Sequence, residues 1–535
     1  MKKYFYVLLF VAGGICMTSC NKDDDNPSPK SDAKQIISFV FKKEDNTALN
    51  EDVTAEINQE DKTITATVPF NTNVTSLFPL IEVSEEATVS PTSARDFTNE
   101  VTYTVTAKDG TQAIYKISVE IALNNATQIT GFVFKEGDNK ALNEDVTAEI
   151  DHDNHTIIAS IPASIDVTSL TPSIEVSEGA AVSSSGPQEC SNEIIYTVTA
   201  QDDTQVAYTF TFKFTATTEK EVLIAIYKSN PCNTLGWDIT IEDLSEWTGI
   251  TLDDEGKVIQ LSLYDEIEVD GYGLTILPAE IGKLRSLEKL NLSGNKITEL
   301  PTEIGKLLKL KHLDLKYNPL SELPTEISLL ANLQILYLFE TKLIEFPKQI
   351  LQLTNLEKLD LSGNQITSLP IEIGLLTNLE TLLLSNIHLV KFPGEILQLT
   401  NLEKLNLSGN QITSIPTEIE KLISLVELDL SKTHLVKFPG EILQLTNLEK
   451  LNLSGNQLTS IPTEIGELTS LVELDLQNTT LTSIPSEIGL LTSLEFLFLE
   501  DNQLTSIPAQ VCDLKNKGTI IYNDKDVTCE TAVDD

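Results

Sequence analysis

Leu402-Glu403-Lys404-Leu405-Asn406-Leu407-Ser408-Gly409-Asn410-Gln411-Ile412 places three leucines, one asparagine and one isoleucine in the order L-x-x-L-x-L-x-x-N-x-I. The same order returns at Leu287, Leu290, Leu292, Asn295 and Ile297. Proline keeps the register: Pro278, Pro301, Pro324, Pro347, Pro370, Pro393, Pro416, Pro439, Pro462, Pro485 and Pro508 fall 23 residues apart. In the L-x-L core, alternate side chains point to opposite sides, so a short strand buries its leucines and presents the x positions. The proline ends the return loop, and Glu-Ile-Gly-x-Leu begins a short convex helix or turn. One unit cannot bury its leucines alone, so neighbours must stack into a parallel sheet. Ten full strands at about 4.8 Å spacing predict a concave face about 43 Å long.

This is the leucine-rich-repeat pattern. Its Leu-Pro-x-Glu-Ile-Gly phase, over residues 258–510, resembles the 23-residue class of Ras-pathway scaffold proteins. The resemblance implies an α/β solenoid, or horseshoe, with one Asn per turn bonded to the neighbouring turn. That ladder is present at Asn295, Asn318, Asn364, Asn410, Asn456 and Asn502 and replaced at Thr341, Ile387, Thr433 and Thr479. The four replacements lie 46 residues apart, as do Phe346, Phe392 and Phe438 before their prolines, so the duplicated unit is a pair of repeats. Repeats over 278–510 then need caps. Residues 219–277 resemble the N-terminal cap of extracellular plant-type repeat proteins at Leu223 to Tyr227, Trp237, Trp247-Thr248-Gly249-Ile250-Thr251 and Gly256 to Leu261. That cap carries a Cys where Leu252 stands here, so Cys232 is expected without its partner. Residues 511–535 are expected to cap the C-terminal end and to cover Phe496 and Phe498.

Residues 36–122 and 129–215 are copies of one another at an offset of 93. Ala48 to Ile57 recurs unchanged at Ala141 to Ile150, and Tyr103 to Ala107 at Tyr196 to Ala200. Runs such as Thr63-Ile64-Thr65-Ala66-Thr67-Val68 alternate with period two and are rich in β-branched residues, which predicts half-buried strands. Several such strands in about 90 residues point to a small antiparallel β-sandwich. The copies resemble the Ig-like modules repeated near the N-termini of bacterial surface lipoproteins, where they act as stalks. Asp151-His152-Asp153-Asn154-His155 has the residue types of a metal cluster. Its counterpart Asn58-Gln59-Glu60-Asp61-Lys62 has no His, so a polar hairpin turn accounts for both and no metal site is expected.

Lys2 and Lys3 precede an apolar run from Tyr4 to Ile15, the layout of a secretory signal over residues 1–19 and too short to span a bilayer. Met17-Thr18-Ser19-Cys20 resembles a bacterial lipobox, although Met17 stands where Leu is usual; this implies lipidation of Cys20. The acidic Asn21-Lys22-Asp23-Asp24-Asp25-Asn26 looks like the surface-export signal of some Gram-negative lipoproteins. Residues 20–35 then form a lipidated Pro/Ser tether. The expected location is the outer membrane, exposed on the cell surface, with membrane contact through the lipid anchor alone; multiple acyl chains hold where one is marginal.

The formal net charge is −43, from 37 basic and 80 acidic residues, with Arg95 and Arg285 the sole arginines. Such a surface repels phosphate backbones, which argues against nucleic acid as a partner. The six cysteines include no C-x-x-C pair. Cys512 and Cys529 are close in sequence and follow the last repeat, and export permits a disulfide between them. Cys190 and Cys232 lie in different modules and are expected to be unpaired. The five histidines show no metal-ligand spacing, and G-x-S-x-G, phosphate-loop and H-E-x-x-H motifs are missing. The reading is a non-enzyme without a cofactor.

Binding is the remaining chemistry. The central concave column reads Asn291, Asp314, Tyr337, Asp360, Leu383, Asn406, Asp429, Asn452, Asp475 and Phe498. Against small and acidic neighbours, Tyr317, Ile335, Tyr337, Phe339 and Leu383 form an apolar group, rimmed by His312, Asp314 and Lys316. Clustered exposed aromatics suit a binding hot spot. The expected partner on this face is an extracellular protein, as for a receptor or adhesin; the alternative is a glycan captured for nutrient uptake, with aromatics stacked on sugar rings.

Overall fold

The computed structural model describes residues 30–187, 193–264 and 272–530. The signal segment, Cys20, the tether up to residue 29 and Cys190 lie outside the described residues. Two compact units divide the chain: the first sandwich lies in one, and most of the second sandwich with all of the repeats in the other.

In the first sandwich, Val53–Thr54, Ile36–Phe41 and Pro79–Val83 make a three-stranded sheet. Glu56–Asn58, Thr63–Val68, Gln112–Ile121, Val101–Thr106 and Thr88–Ser90 make the facing five-stranded sheet. Period-two alternation sends Phe39 and Phe41 to the same side, where both are fully buried. They meet Tyr103 and Phe97 edge to face at centroid distances of 5.7 and 5.2 Å. Burial pushes the Tyr103 phenol up to about 12. The second sandwich repeats the plan, with Phe132 stacked on Phe210 at 5.0 Å.

One expectation is corrected. The sandwiches are mixed, not wholly antiparallel: Thr63–Val68 runs parallel to Gln112–Ile121, and Thr156–Pro162 parallel to Gln205–Thr215. In each copy the chain leaves the first of these strands, crosses to the other sheet and returns, the long connection that parallel pairing requires. A buried Asn holds the crossover in both. Asn46 donates to the Lys42 and Phe78 carbonyls at 2.8 and 2.9 Å and accepts from the Phe78 amide. Asn139 does the same with Lys135 and Thr171. Asp151 to His155 forms a tight turn in which Asp151 Oδ1 accepts from the Asp153 and Asn154 amides, as Asn58 does from Glu60 and Asp61.

The helix Glu219–Ser229 follows the second sandwich directly. Thr218 and Glu221 form a reciprocal capping box at its start. Asn230, buried at its end, donates to the Ile226 and Ile276 carbonyls and accepts from the Thr275 and Ile276 amides, tying the helix to the first repeat. Cys232 is disulfide-bonded, contrary to the expectation that it is unpaired; the lost cap position at Leu252 does not leave it free.

From Ile250–Leu252 to Ile520–Tyr522 the described strands, apart from Ser506–Ile507, form one 13-stranded sheet. Its first pair is antiparallel and every later pair parallel. Ten of the strands, Lys289–Asn291 to Phe496–Phe498, come from the repeats at the L-x-L positions. After each proline from Pro278 to Pro485 the chain makes a five-residue 3-10 turn, as at Thr302–Lys306, where the Ile304 amide donates to the Pro301 carbonyl at 3.0 Å. Proline fits there because its fixed φ suits the turn start and its missing N–H has no partner to lose.

The Asn ladder has a physical complement at its gaps. Asn364 Nδ2 donates to the Leu338 and Leu361 carbonyls, and its Oδ1 accepts from the Leu343 amide. Thr341 donates its hydroxyl to the Leu338 carbonyl and to Asn364 Oδ1. Thr433 and Thr479 do the same with Asn456 and Asn502. Ile387 has no hydroxyl, and its backbone amide reaches Asn410 instead.

At the C-terminal end Val511 and Leu514 are buried beneath the last repeat, and Cys512 is bonded to Cys529. The strand Ile520–Tyr522 lies beside Phe496–Phe498 as a further member of the sheet. The end segment therefore packs against Phe498, as expected of a cap, and also extends the concave sheet by one strand. Tyr522 stacks on Phe498 at 4.8 Å while remaining 38% exposed.

The concave sheet face as candidate binding site

In each triplet the middle leucine is buried and its two neighbours face outward from the sheet. The central column is partly structural. Asn291, Asp360, Asn406, Asp429 and Asn452 each accept with Oδ1 from the amide two residues on, at 2.9 to 3.0 Å. Asp314 and Asp475 do likewise with Lys316 and Gln477. These are Asx turns, in which a short side chain mimics the backbone and steers the chain out of the strand. Within the column Asp314, Asp360 and Asp475 are buried. Tyr337, Leu383 and Phe498 cannot make that bond, so these three positions give up a turn contact in exchange for an apolar group.

Four residues beyond the strand's middle leucine, a second column lies in the left-handed region throughout. It comprises Gly294, Tyr317, Glu340, Gly363, Asn386, Gly409, Lys432, Gly455, Asn478 and Asp501, with φ from 50° to 72°. Glycine, asparagine and aspartate accept this conformation readily; a tyrosine is held there at a cost.

The candidate patch assembles around Tyr337. His312 meets its ring edge to face at 5.5 Å, and Lys316 Nζ sits 4.2 Å from its centroid. Lys316 also reaches Asp314 at 3.5 Å. Tyr317 packs edge to face on Phe339 at 5.0 Å and stays 46% exposed. Ile335 is half-buried, between His312 and Lys358 in the neighbouring strands. Leu383 stands apart, separated from Tyr337 by the strand that carries Asp360. Thus Tyr317, Ile335, Tyr337 and Phe339 lie together with His312, Asp314 and Lys316, and Leu383 is an outlier.

Burial dominates the electrostatics. It raises the Asp314 and Asp360 carboxyls above the usual range, against the pull of Lys316. Burial, with Lys289 and Lys316 nearby, pushes the His312 imidazole down to about 4. Its Nε2 is buried without a hydrogen-bond partner. Burial first, then Asp314 and Asp360, raises the Tyr337 phenol. The neutral imidazole and the held ammonium make a preorganised surface of ring edges and one cation, suited to recognition. Among the described residues no three metal-ligating side chains gather, and no helix is long and apolar enough to cross a membrane.

Leucine-rich-repeat family models match residues 286–307, 302–408, 400–444 and 446–504. These segments of the chain are leucine-rich repeats. Residues 36–119 and 138–212 match the family described as SGBP, N-terminal, found in bacterial surface glycan-binding proteins. Both families are binding modules, and the second is one of bacterial cell surfaces. Among solved structures, a leucine-rich-repeat protein of Leptospira interrogans is 34% identical over 47% of this chain and 82% of its own, with a TM-score of 0.32. The plant peptide hormone receptor RGFR1, in complex with RGF2, is 29% identical over 52% of each chain, with a TM-score of 0.41. The Arabidopsis receptor kinase HAESA, in complex with the peptide hormone IDA and the co-receptor SERK1, is 26% identical over 57% of this chain and 52% of its own, with a TM-score of 0.48. The chain spans about half the length of these two plant proteins. No curated protein matches it.

Two features escaped sequence reasoning. The stacked Phe496, Phe498 and Tyr522 continue the concave face; the alternation in Ile520-Ile521-Tyr522 was the available signal. The burial of the column acids had no such signal: Asp314 and Asp475 are followed two residues on by Lys316 and Gln477, and Asp360 by Ser362.

Proposed function

We propose that this chain is a cell-surface binding protein that captures an extracellular protein segment on its concave face. A lipid on Cys20 at the outer membrane would hold it, with the duplicated sandwiches as the stalk. The observation that carries the reading is the exchange at Tyr337. A column position given to a turn-forming Asx residue in seven of the ten repeats holds an aromatic ring there, beside Phe339 and the strained, exposed Tyr317. Aromatic anchors ringed by polar groups are what binding hot spots are made of.

A second reading is capture of a glycan through the same rings, favoured by the match of both sandwiches to the SGBP N-terminal family. Arrays of extracellular proteins and of glycans, probed with the full chain, separate the two. The double variant Tyr337→Ala, Phe339→Ala then tests the site: capture should fall by about tenfold or more, and unchanged capture by a folded variant removes the patch from consideration. Surface labelling on intact cells tests the anchor, and its absence would contradict the location.

A further inference from the structure

Beyond the concave face, the strand-to-proline edge of the solenoid carries its own pattern. In the first three repeats this edge bears Glu299, Glu322 and Glu345. From Asn364 to Pro508 the equivalent seven-residue segments contain no Asp or Glu at all, in a chain of net charge −43. The position of the lost glutamates is filled by Lys391 and Lys437 in two of these repeats and by serine in the others. Beside the lysines stand His388 and Val390, and His434 and Val436, all exposed. Val390 and Val436 are 63% and 54% exposed, where a repeat normally places threonine. The repeat between them offers Gln411, Thr413 and Ser414, also exposed.

The set His-Leu-Val-Lys-Phe-Pro therefore recurs after 46 residues, or two strands, a pitch of about 10 Å at a strand spacing of about 4.8 Å. Among the described residues neither Lys391 nor Lys437 forms an ion pair, whereas Lys404 and Lys450 on the concave face are paired with Glu427 and Glu473. Acidic groups do lie nearby: Glu418 lines the same depression as Lys391, but Lys421 lines it too. Glu395 and Glu441 stand on the 3-10 turns beyond the prolines.

We infer that this edge binds a linear anionic glycan, a uronate-bearing chain lying along the stack of repeats. Unpaired ammonium groups at a fixed pitch match a partner whose carboxylates also repeat at a fixed pitch, and the disaccharide period of an extended β-linked chain is of this length. A folded protein without internal repeats offers no such translation, and a phosphate backbone, far denser in charge, is repelled more strongly by the rest of the surface. The exposed valines give apolar sugar faces a seat, and the glutamine, threonine and serine between them meet hydroxyls.

The test is titration of the full chain with hyaluronan oligomers, a β-linked chain with one uronate per disaccharide, with cello-oligosaccharides of equal length as the neutral comparison. Binding of the uronate chains alone, weakening as salt rises, is expected. The double variant Lys391→Glu, Lys437→Glu should lose about tenfold or more in affinity, and Lys391→Arg, Lys437→Arg should keep it. Tyr337→Ala should leave this binding unchanged, so its outcome is separate from that of the concave site. No uronate binding by the wild type, equal binding of the neutral chain, or an unaffected charge-reversal variant overturns the inference. So does loss of uronate binding with Tyr337→Ala.

Discussion

Lys316 holds its ammonium 4.2 Å from the centre of the Tyr337 ring and 3.5 Å from the Asp314 carboxylate. One cation thus serves a buried acid on its own repeat and a ring on the neighbouring strand. A half-exposed cation–π contact contributes about 0.5–1 kcal/mol. A double-mutant cycle of Lys316→Ala with Tyr337→Leu, read by urea unfolding, should return a coupling of that size. Zero coupling would mean that the ammonium spends its time in water.

Tyr317 sits at φ 56° with a full side chain, where Gly363, Gly409 and Gly455 occupy the same column position. Its left-handed backbone should cost about 1 kcal/mol relative to glycine. Tyr317→Gly should therefore be more stable than Tyr317→Ala by about 1 kcal/mol, because alanine loses the same ring yet keeps the strain. Both should weaken partner capture. Equal stability of the two variants would show that the position carries no strain.

Thr433 and Ile387 occupy equivalent ladder positions with different chemistry. Thr433 donates to the Leu430 carbonyl and to Asn456 Oδ1, both at 2.8 Å. Thr433→Val keeps the shape and removes the donor, and should cost about 1–3 kcal/mol as buried acceptors lose a partner. Ile387→Thr adds the missing donor beside Asn410 but gives up buried apolar area, about 0.8 kcal/mol per methylene-sized group. It should fall within about 1 kcal/mol of wild type. Thermal unfolding of the two variants checks the asymmetry; a Thr433→Val as stable as wild type sinks it.

The repeats were legible because a 23-residue period ties each strand, turn and ladder position to a residue type that only one geometry satisfies. The sandwiches were legible as alternating strands, but alternation is identical in parallel and antiparallel pairs. The Thr63–Val68 to Gln112–Ile121 pairing therefore could not be read from it. Clustering of Tyr317, Tyr337 and Phe339 followed from column arithmetic. The burial of Asp314 and Asp360 did not, since it depends on how Asx turns fold carboxylates against the strand exit. That the cap packs beside Phe496 and Phe498 as a further strand, Ile520–Tyr522, was not legible because that strand falls outside the repeat period.

Cys512 and Cys529 are bonded across a sequence separation of 17 residues. Closing a loop of that size restricts the unfolded chain and contributes about 3 kcal/mol in the chain-entropy account. The double variant Cys512→Ala, Cys529→Ala should lose that amount. Loss should appear first as faster amide exchange in Ser506–Ile507 and Thr528–Cys529, the two-stranded pair beside the bond. Uniform exchange across the whole solenoid would argue that the bond acts globally.

His312 couples the patch to pH. Its imidazole is pushed down to about 4 in the folded chain, from 6.5 in an unperturbed one. As pH falls from 6.5 to about 4, the unfolded chain takes a proton that the folded chain refuses, so stability drops across that window. Asp314 and Asp360 act in the opposite sense. Their raised carboxyls bind protons more tightly when folded, so acidification through their range adds stability. Subtracting the profile of His312→Gln isolates the histidine. Between pH 7 and 4 the wild type should lose on the order of 2 kcal/mol more than the variant, a figure reduced for the ring's partial exposure. Capture of a partner should persist to about pH 5, since the neutral imidazole against Tyr337 is retained there. Parallel stability profiles for the two proteins, or an imidazole resonance titrating near 6.5, would remove His312 from the electrostatic account of the patch.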